Sequence, residues 1–283
     1  MGTDIFTTIR ASYNIFTRAE KKVADFVMAD PKSVLYMSIT DLADACDVGD
    51  TSVFRFCRDL KLKGYQDFKV MVAQTLGTEI DASQITGMVQ PGDSTEIIAQ
   101  KLLSTNIAAL NETYGLIDIG KIQRAVDWML HAQRIVFFGV GSSLMTAMDA
   151  CNKFMRIISN VTVTPDTHLQ SISASLLCKK DLAVIFSYSG STKDTVEMAR
   201  IAREQGAKVI SITKFEKSPL TEHSDLTLLC GSNEGPLQGG SLSAKLSQLF
   251  LLDVLYMEYF QRTLEKSTQN KKLTADAVAE KLY

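Results

Sequence analysis

The chain has 283 residues, of which 46% are hydrophobic and 22% are charged, and its formal net charge is −2. This length and composition predict a folded chain with two domains and exclude a disordered or uniformly basic protein. The five cysteines are widely spaced without a CxxC pair, so we expect reduced, buried thiols, no metal site and no cofactor. No segment has the pattern of a signal peptide or a membrane span, so we expect a cytoplasmic protein with no membrane partner.

The first part of the chain, residues 1–77, has the pattern of short helices. Thr17 and Glu20 have the spacing of a capping box and precede apolar residues on one helical face. Pro31 ends that helix, because proline disfavours helical geometry in the residue before it. Further short helices are predicted at about 40–46, 51–60 and 65–77.

The pattern changes after this helical part. Residues 78–93 lose the periodicity and contain two glycines and a proline, which predicts a linker. From residue 94 the chain is helical again, and then short apolar runs alternate with helices. The runs interpreted as strands are Arg134–Val140, Val161–Val163, Leu182–Ser187, Lys208–Thr213 and Leu226–Cys230. This alternation predicts an α/β domain with a parallel sheet flanked by helices over 94–263, followed by a polar tail at 264–283 that we expect to fray.

A helix-turn-helix is predicted over residues 38–60. Its inner face would consist of Leu42, Ala43, Cys46, Val48, Val53, Phe56, Cys57 and Leu60. Gly49 would supply a flexible turn, and Asp50 or Thr51 would cap the second helix. The outward-facing residues, with two lysines just beyond the helix, would be Thr51, Ser52, Arg55, Arg58, Lys61 and Lys63. Such donors can reach base edges and phosphates in a major groove, which favours DNA binding over a plain helix pair with a solvated basic face.

The charge distribution supports this interpretation. Residues 1–78 carry ten Lys or Arg and ten Asp or Glu, so the segment as a whole is neutral. Residues 51–69, however, carry five basic residues against two acidic ones. Binding to nucleic acid requires a local basic surface rather than a positive total, so the net charge does not exclude it.

Two loops rich in glycine and hydroxyl groups follow predicted strands. The first is Gly141-Ser142-Ser143, and the second places four hydroxyls, those of Ser187, Ser189, Ser191 and Thr192, within six residues. Both would lie at the carboxyl ends of parallel strands, where backbone N–H groups at a helix start favour an anion such as phosphate. Helix capping explains one or two of these hydroxyls, but four beside a glycine favour a phosphate site.

A dinucleotide site is the alternative for the first loop. Gly139 and Gly141 begin the glycine fingerprint of such a site, and Asp166 could accept a ribose hydroxyl. Leu144 stands where a third glycine or alanine is needed for close packing of the helix. The fingerprint is therefore incomplete, and the second, hydroxyl-rich loop favours a phosphate on a different ligand.

The two loops, Gly-Val-Gly-Ser-Ser at 139–143 and Ser-Tyr-Ser-Gly-Ser-Thr at 187–192, together resemble the sugar isomerase (SIS) domain. Combined with Ser-Ile-Thr-Asp-Leu-Ala at 38–43 and the basic segment at 53–69, they resemble the RpiR family of bacterial regulators over about residues 4–260. The resemblance implies a multi-domain chain with an all-α helix-turn-helix domain followed by an α/β SIS domain. It also implies a homodimer or homotetramer that regulates genes of sugar, or more narrowly amino-sugar, metabolism. Such a protein binds operator DNA, for which we expect a palindrome, and changes its affinity when a phosphorylated sugar binds.

The resemblance also implies roles for individual residues. Ser143, Ser187, Ser189 and Thr192 would hold the phosphate, with backbone groups of Tyr188 and Gly190. The remaining effector-site candidates are Gly141, Ser142, Thr167, His168, Ser191 and Glu234. Many relatives have Ser where Gly49 stands, so the capping role would pass to Asp50 or Thr51.

SIS domains also occur in aldose–ketose isomerases, which is the alternative function. That chemistry needs a general base beside the sugar. Glu234, His168 and His223 are the candidates, and a solvated or hydroxyl-binding role for Glu234 is favoured over a catalytic one. We therefore expect no catalytic residues and no enzyme activity.

Overall fold

The computed structural model of the chain describes residues 4–79, 89–232 and 242–279. Contacts divide these residues into two compact units, one containing the residues up to 108 together with 242–243, and the other containing 109–232 and 244–279. In none of these ranges does a helix combine the length and the apolar character needed to cross a membrane.

The described part of the first unit is helical. Its helices are α1 (Ile5–Ser12), α2 (Arg18–Ala29), α3 (Pro31–Val34), α4 (Ile39–Ala45), α5 (Asp50–Asp59) and α6 (Tyr65–Glu79), with a 3-10 turn at Tyr13–Ile15. Helix α7 (Thr95–Gly115) begins in this unit and ends in the other. One apolar cluster joins α1 to α6, and inside it the ring of Phe56 lies 5.1 Å from that of Phe16 and 5.5 Å from that of Phe68.

Side-chain caps fix the ends of several of these helices. The predicted capping box of α2 is confirmed, since Thr17 and Glu20 each accept a hydrogen bond from the other's backbone N–H. The helix ends at Ala29, immediately before Asp30-Pro31, as predicted. A second capping box, formed by Ser38 and Asp41, starts α4.

The turn between α4 and α5 differs from the prediction. Its left-handed residue is Asp47, with φ +51°, while Gly49 is extended. The backbone N–H of Val48 reaches back to the carbonyl of Ala43 at 3.0 Å, the pattern of a Schellman motif. Gly49 is the N-cap of α5, and no side chain caps this helix. The prediction that Asp50 or Thr51 caps it was wrong, and the carboxylate of Asp50 instead accepts a hydrogen bond from Thr40 at 2.8 Å.

The second unit contains a five-stranded parallel sheet in the order β2-β1-β3-β4-β5. The strands are β1 (Ile135–Gly139), β2 (Val161–Val163), β3 (Leu182–Phe186), β4 (Lys208–Thr213) and β5 (Leu226–Leu229). The helices are the end of α7, α8 (Ile119–His131), α9 (Ser142–Met155), α10 (Thr167–Ser175), α11 (Lys193–Glu204), α12 (Leu242–Arg262) and α13 (Leu264–Ala279), with a 3-10 turn at Thr221–His223.

Helices cover both faces of this sheet, as predicted. Ile135 and Phe137 of β1 point to a cluster shared with α8, α9 and α12, while Val136 and Phe138 point to one shared with α10 and α11. All five residues of β1, and all five of β3, are therefore buried. Continuous apolar strands of this kind are characteristic of parallel sheets with two covered faces.

The prediction that the polar tail frays was wrong for its described part, which forms helix α13. The amide of Asn270 donates to the carbonyl of Ile157 at 2.7 Å, and the hydroxyl of Thr274 donates to that of Arg156 at 3.1 Å. Ser267 is buried. This helix is attached largely through polar contacts, which a hydrophobic pattern does not reveal.

Candidate functional site

The sheet order creates a topological switch point between β1 and β3. The chain leaves β1 for β2 on one side, whereas β3 leads to β4 on the other. In open parallel sheets, ligands bind in the crevice outside the carboxyl ends of the strands at such a point. Gly139 and Phe186 pair as the last residues of β1 and β3, so the two predicted loops start side by side. We refer to residues 140–143 as the glycine loop and to residues 187–192 as the serine loop.

The glycine loop turns tightly into α9. A Cβ on Gly139 would lie 2.7 Å from the carbonyl oxygen of Ser143, and Gly141 has φ +60°, so both positions require glycine. Gly141 is the N-cap of α9 and, as a glycine, supplies no side chain to cap it. Because the first N–H groups of a helix have no acceptor within it, this end of α9 is suited to an anion.

The serine loop has a similar construction. Gly190 has φ +61°, and a Cβ there would lie 2.3 Å from the hydroxyl oxygen of Ser218. Thr192 is the N-cap residue of α11, but its side chain makes no capping hydrogen bond. Ser189 accepts a hydrogen bond from the N–H of Ser191 at 3.3 Å. Capping therefore does not account for the hydroxyl of Thr192.

Ser187 lies deeper than the rest of the serine loop. Its side chain is buried, and its hydroxyl oxygen is 3.2 Å from that of Thr195 in the first turn of α11. Thr195 also donates to the carbonyl of Thr192 at 2.8 Å. The Thr195 hydroxyl is thus within hydrogen-bond distance of both oxygens, and in its bond with Ser187 it is the donor. Ser187 thus braces the start of α11.

A tyrosine connects the serine loop to the segment after β5. The hydroxyl of Tyr188 donates to the carbonyl of Ser232 at 2.7 Å, and the ammonium of Lys214 donates to the same oxygen at 2.7 Å. The ammonium lies 5.8 Å from the centre of the Tyr188 ring. Lys214 follows β4 and therefore brings a positive charge to the serine loop. Sequence reasoning missed it, because one lysine after a strand is not a distinctive signal.

Helix α10 carries the candidates Thr167 and His168 and is attached to the end of β1. Gln170, which is fully buried, donates to the carbonyl of Gly139 at 3.0 Å and accepts from its N–H at 3.3 Å. Thr167 is partly buried and His168 is exposed, both in the first turn of α10. Asp166, considered above as a ribose acceptor, caps α10 by accepting from the N–H of Leu169 at 2.9 Å.

A second buried glutamine contacts the glycine loop. Gln248 on α12 accepts a hydrogen bond from Thr146 at 3.0 Å and donates to the hydroxyl of Ser143 at 3.4 Å. Neither Gln170 nor Gln248 was predicted. Glutamine is normally a surface residue, and burial is a property of the tertiary structure.

The acid–base candidates have different positions. Glu234 lies outside the described residues. His168 is exposed, and His223 ends the 3-10 turn that follows β4. Burial raises the pKa of Cys230, next to the Ser232 segment, to about 12, so this thiol remains protonated at neutral pH.

The last two turns of α7 contact Gly231, the residue before Ser232. The hydroxyl of Thr113 is fully buried, donates to the carbonyl of Ala109 at 2.8 Å and accepts from the N–H of Gly231 at 3.0 Å. A Cβ on Gly231 would lie 2.4 Å from Cγ of Glu112, so the two segments are in close contact. Ser247 of α12 also donates to the carbonyl of Ala109, at 3.4 Å.

In the first unit, helix α5 presents a polar and basic surface. Thr51, Arg55, Arg58, Lys61 and Lys63 are exposed, and Ser52 is partly exposed. The helix ends at Asp59, and Lys61 has φ +63°, which turns the chain sharply after it. Lys69, counted in the basic segment, is instead buried and donates to the carbonyl of Met37 at 3.0 Å. The basic surface is therefore formed by α5 and the residues just after it.

Comparison with known families matches both units. Residues 3–79 match the helix-turn-helix domain of the rpiR family, and residues 129–258 match the SIS domain. An uncharacterized HTH-type transcriptional regulator of Haemophilus influenzae is 34% identical over 98% of this chain and 97% of its own length. The HTH-type transcriptional regulator HexR of Pseudomonas aeruginosa is 35% identical over 89% of this chain and 87% of its own length.

A solved structure is similar over almost the whole chain. The NanR protein of Vibrio vulnificus, complexed with ManNAc-6P, is 29% identical and superposes with a TM-score of 0.85. The match covers 98% of this chain and 99% of that of NanR.

Proposed function

The chain belongs to the RpiR family of helix-turn-helix transcriptional regulators, and we propose that it binds operator DNA through α5 and a sugar phosphate through the glycine and serine loops. Transcriptional regulation in response to a phosphorylated sugar is the function on which the family, the relatives and the fold agree. The proposed binding of a sugar phosphate is supported by one observation: the glycine loop and the serine loop, which both need glycine for their backbone shape, lie side by side at the switch point.

The DNA-binding residues are those that α5 and its flank expose. Short hydroxyl side chains at the start of the helix suit base edges, and the basic residues suit phosphates. The proposed set is Thr51, Ser52, Arg55, Arg58, Lys61 and Lys63. The protein acts in the cytoplasm as a homodimer or homotetramer, whose paired helices meet a palindrome with half-sites about 34 Å apart.

The phosphate lies between the two loops. Backbone N–H groups at the starts of α9 and α11 and the hydroxyls of Ser143, Ser189 and Thr192 surround it, while Ser187 supports the loop from below. The other members of the site are Gly141, Ser142, Thr167, His168, Tyr188, Gly190, Ser191 and Glu234. NanR binds an N-acetylated amino-sugar phosphate, so an amino-sugar phosphate is the first ligand to test.

Helix α7 couples the two functions. It is one helix whose first residues belong to the DNA-binding unit, and its end is hydrogen-bonded through Thr113 to Gly231. The neighbouring carbonyl of Ser232 is bonded to Tyr188 of the serine loop. A ligand that moves the serine loop therefore acts on α7. It can change the affinity for DNA only by the factor by which its own affinity differs between the DNA-bound and the DNA-free protein.

The protein acts by binding rather than by catalysis. The full-length relatives are named as transcriptional regulators. Incubation with an aldose or ketose phosphate, followed by NMR, tests this point, and interconversion of the two would favour the isomerase alternative.

The test of the proposed function is operator binding measured by fluorescence anisotropy with and without ligand. The panel contains N-acetylmannosamine 6-phosphate, N-acetylglucosamine 6-phosphate, glucose 6-phosphate, NAD and the unphosphorylated sugars. We expect one sugar phosphate to change the operator Kd by about 5- to 150-fold, the usual range of allosteric coupling. A response to NAD alone, or to no phosphorylated sugar in a wider panel, would contradict the proposal.

A further inference from the structure

The contacts of Gln248 carry information about the direction in which the Ser143 hydroxyl points. The side chain of Gln248 is only 2% exposed, that of Thr146 is fully buried and that of Ser143 is 7% exposed. Thr146 donates to Oε1 of Gln248 at 3.0 Å, and Nε2 of Gln248 donates to the hydroxyl oxygen of Ser143 at 3.4 Å. The three side chains thus form one directed chain of hydrogen bonds that ends at the glycine loop.

This direction matters because a hydroxyl has one proton and two acceptor sites. The amide oxygen of Gln248 is used by Thr146, so the amide turns its N–H₂ group toward Ser143. The Ser143 oxygen then accepts, and its proton is left to be donated elsewhere. A phosphate accepts hydrogen bonds and cannot donate one when fully ionised, so a donating Ser143 is the useful state.

We infer that Gln248 is a positioning residue for the effector site: it holds Ser143 as a hydrogen-bond donor toward the phosphate, and Thr146 fixes the orientation of its amide. This inference rests on the proposed function. It assigns a role to α12, a helix that contains none of the predicted site residues. If the amide of Gln248 were flipped, its oxygen would accept the proton of Ser143, and the lone pairs of the Ser143 hydroxyl would then face the ligand.

The test is a double-mutant cycle between Gln248→Met and Ser143→Ala in the full chain. Methionine keeps most of the volume of glutamine but can neither orient nor donate to Ser143. Inorganic phosphate is the primary probe, because it carries only the group in question, and N-acetylmannosamine 6-phosphate is the second. The Kd for each is measured by calorimetry.

We expect Ser143→Ala to raise the Kd about 10-fold, as expected for loss of a hydrogen bond to a charged group, and Gln248→Met to raise it about 3- to 10-fold. In the Ser143→Ala background, Gln248→Met should have no further effect, since it acts through the hydroxyl already removed. Ser247→Ala is the matched control. Ser247 is also buried on α12, but its hydroxyl bonds to Ala109. The variant should therefore bind both probes with the Kd of the wild type.

An unchanged Kd for Gln248→Met, or effects of the two substitutions that simply add, would overturn the inference, because a residue that only supports the fold gives additive losses. If Gln248→Met does not fold, Gln248→Met with Thr146→Val removes both polar partners together and carries the same expectation. A wild-type protein that binds neither probe nor any sugar phosphate would overturn the proposed function and this inference with it. A wild-type protein that responds normally while Gln248→Met is neutral would overturn the inference alone.

Discussion

At the residue scale, the glycine loop and the serine loop combine residues that fix the backbone shape with residues that offer hydrogen-bonding groups. Gly139 and Gly190 occupy positions where a Cβ would collide with Ser143 and with Ser218, so their role is steric. The hydroxyl groups then divide into two kinds. Ser187 is buried and contacts α11, whereas the hydroxyl of Thr192 is not used in capping its own helix.

Replacing Ser189 and Thr192 together by alanine should remove the response to the effector. Two hydrogen bonds to a charged phosphate are lost, so the Kd for the effector should rise about 100-fold or more, while the operator Kd without effector stays unchanged. Calorimetry and anisotropy measure the two quantities separately. Ser175→Ala, which removes an exposed hydroxyl of α10, is the control, and an unchanged effector Kd in the double variant would contradict the assignment.

Replacing Arg55 by alanine should weaken operator binding without affecting the effector site. Arg55 is exposed on α5, and loss of one contact to a base or phosphate should raise the operator Kd about 10-fold. If the contact is to a phosphate, the slope of log Kd against log salt concentration should also fall by about one. Arg10→Ala, an exposed arginine on α1, is the control. Normal operator binding by Arg55→Ala would show that the DNA-binding surface lies elsewhere.

At the scale of elements, buried polar contacts attach helices that hydrophobic patterns leave unexplained. Gln170 attaches α10 to the end of β1, and Asn270 attaches α13 to the chain after α9. Thr113 attaches the end of α7 to Gly231. The last contact is the one on which the proposed coupling depends, because α7 extends into the first unit.

Replacing Thr113 by valine should uncouple the effector from the operator. Valine has nearly the same shape but cannot accept the hydrogen bond of the Gly231 N–H. We expect the effector Kd without DNA to stay within about twofold of wild type, while the effector-induced change in operator Kd falls about 5-fold or more. Anisotropy with and without effector measures the change. Ser104→Ala, at an exposed position of α7, should keep the full response, and an equally full response in Thr113→Val would rule out this coupling contact.

At the scale of the whole molecule, the described residues form separate hydrophobic cores. The core of the first unit consists of residues from α1 to α6, and the two cores of the second unit flank the sheet. No residue belongs to both a first-unit and a second-unit cluster among the described ranges. Each unit therefore has its own main source of stability, as expected for domains.

Differential scanning calorimetry should consequently resolve two unfolding transitions, each responding to its own ligand. At 100 times its Kd, the sugar phosphate should raise the Tm of the second unit by about 5 to 10 °C, because it binds only the folded state. Operator DNA should raise the other transition. A single transition that both ligands raise equally would show that the two units unfold as one.

Local sequence patterns were sufficient to predict the fold class and the two loops. Period-3.6 patterns, apolar runs and the glycine–hydroxyl segments are local features, so the helix-turn-helix, the parallel strands and the serine loop were predicted directly. The turn at Asp47 and the helical tail were missed, because aspartate takes a left-handed conformation less often than glycine and because polar residues give α13 no apolar stripe.

The distant residues that support the candidate site became apparent from the fold and not from any sequence pattern. Gln248 lies 105 positions from Ser143, Gln170 lies 31 from Gly139, and Gly231 lies 118 from Thr113. A hydrogen bond between such residues depends on where the sheet order and the helix crossings place them, and no local pattern encodes that distance. The same reason explains why Lys69 was counted as part of the basic surface, although packing buries it.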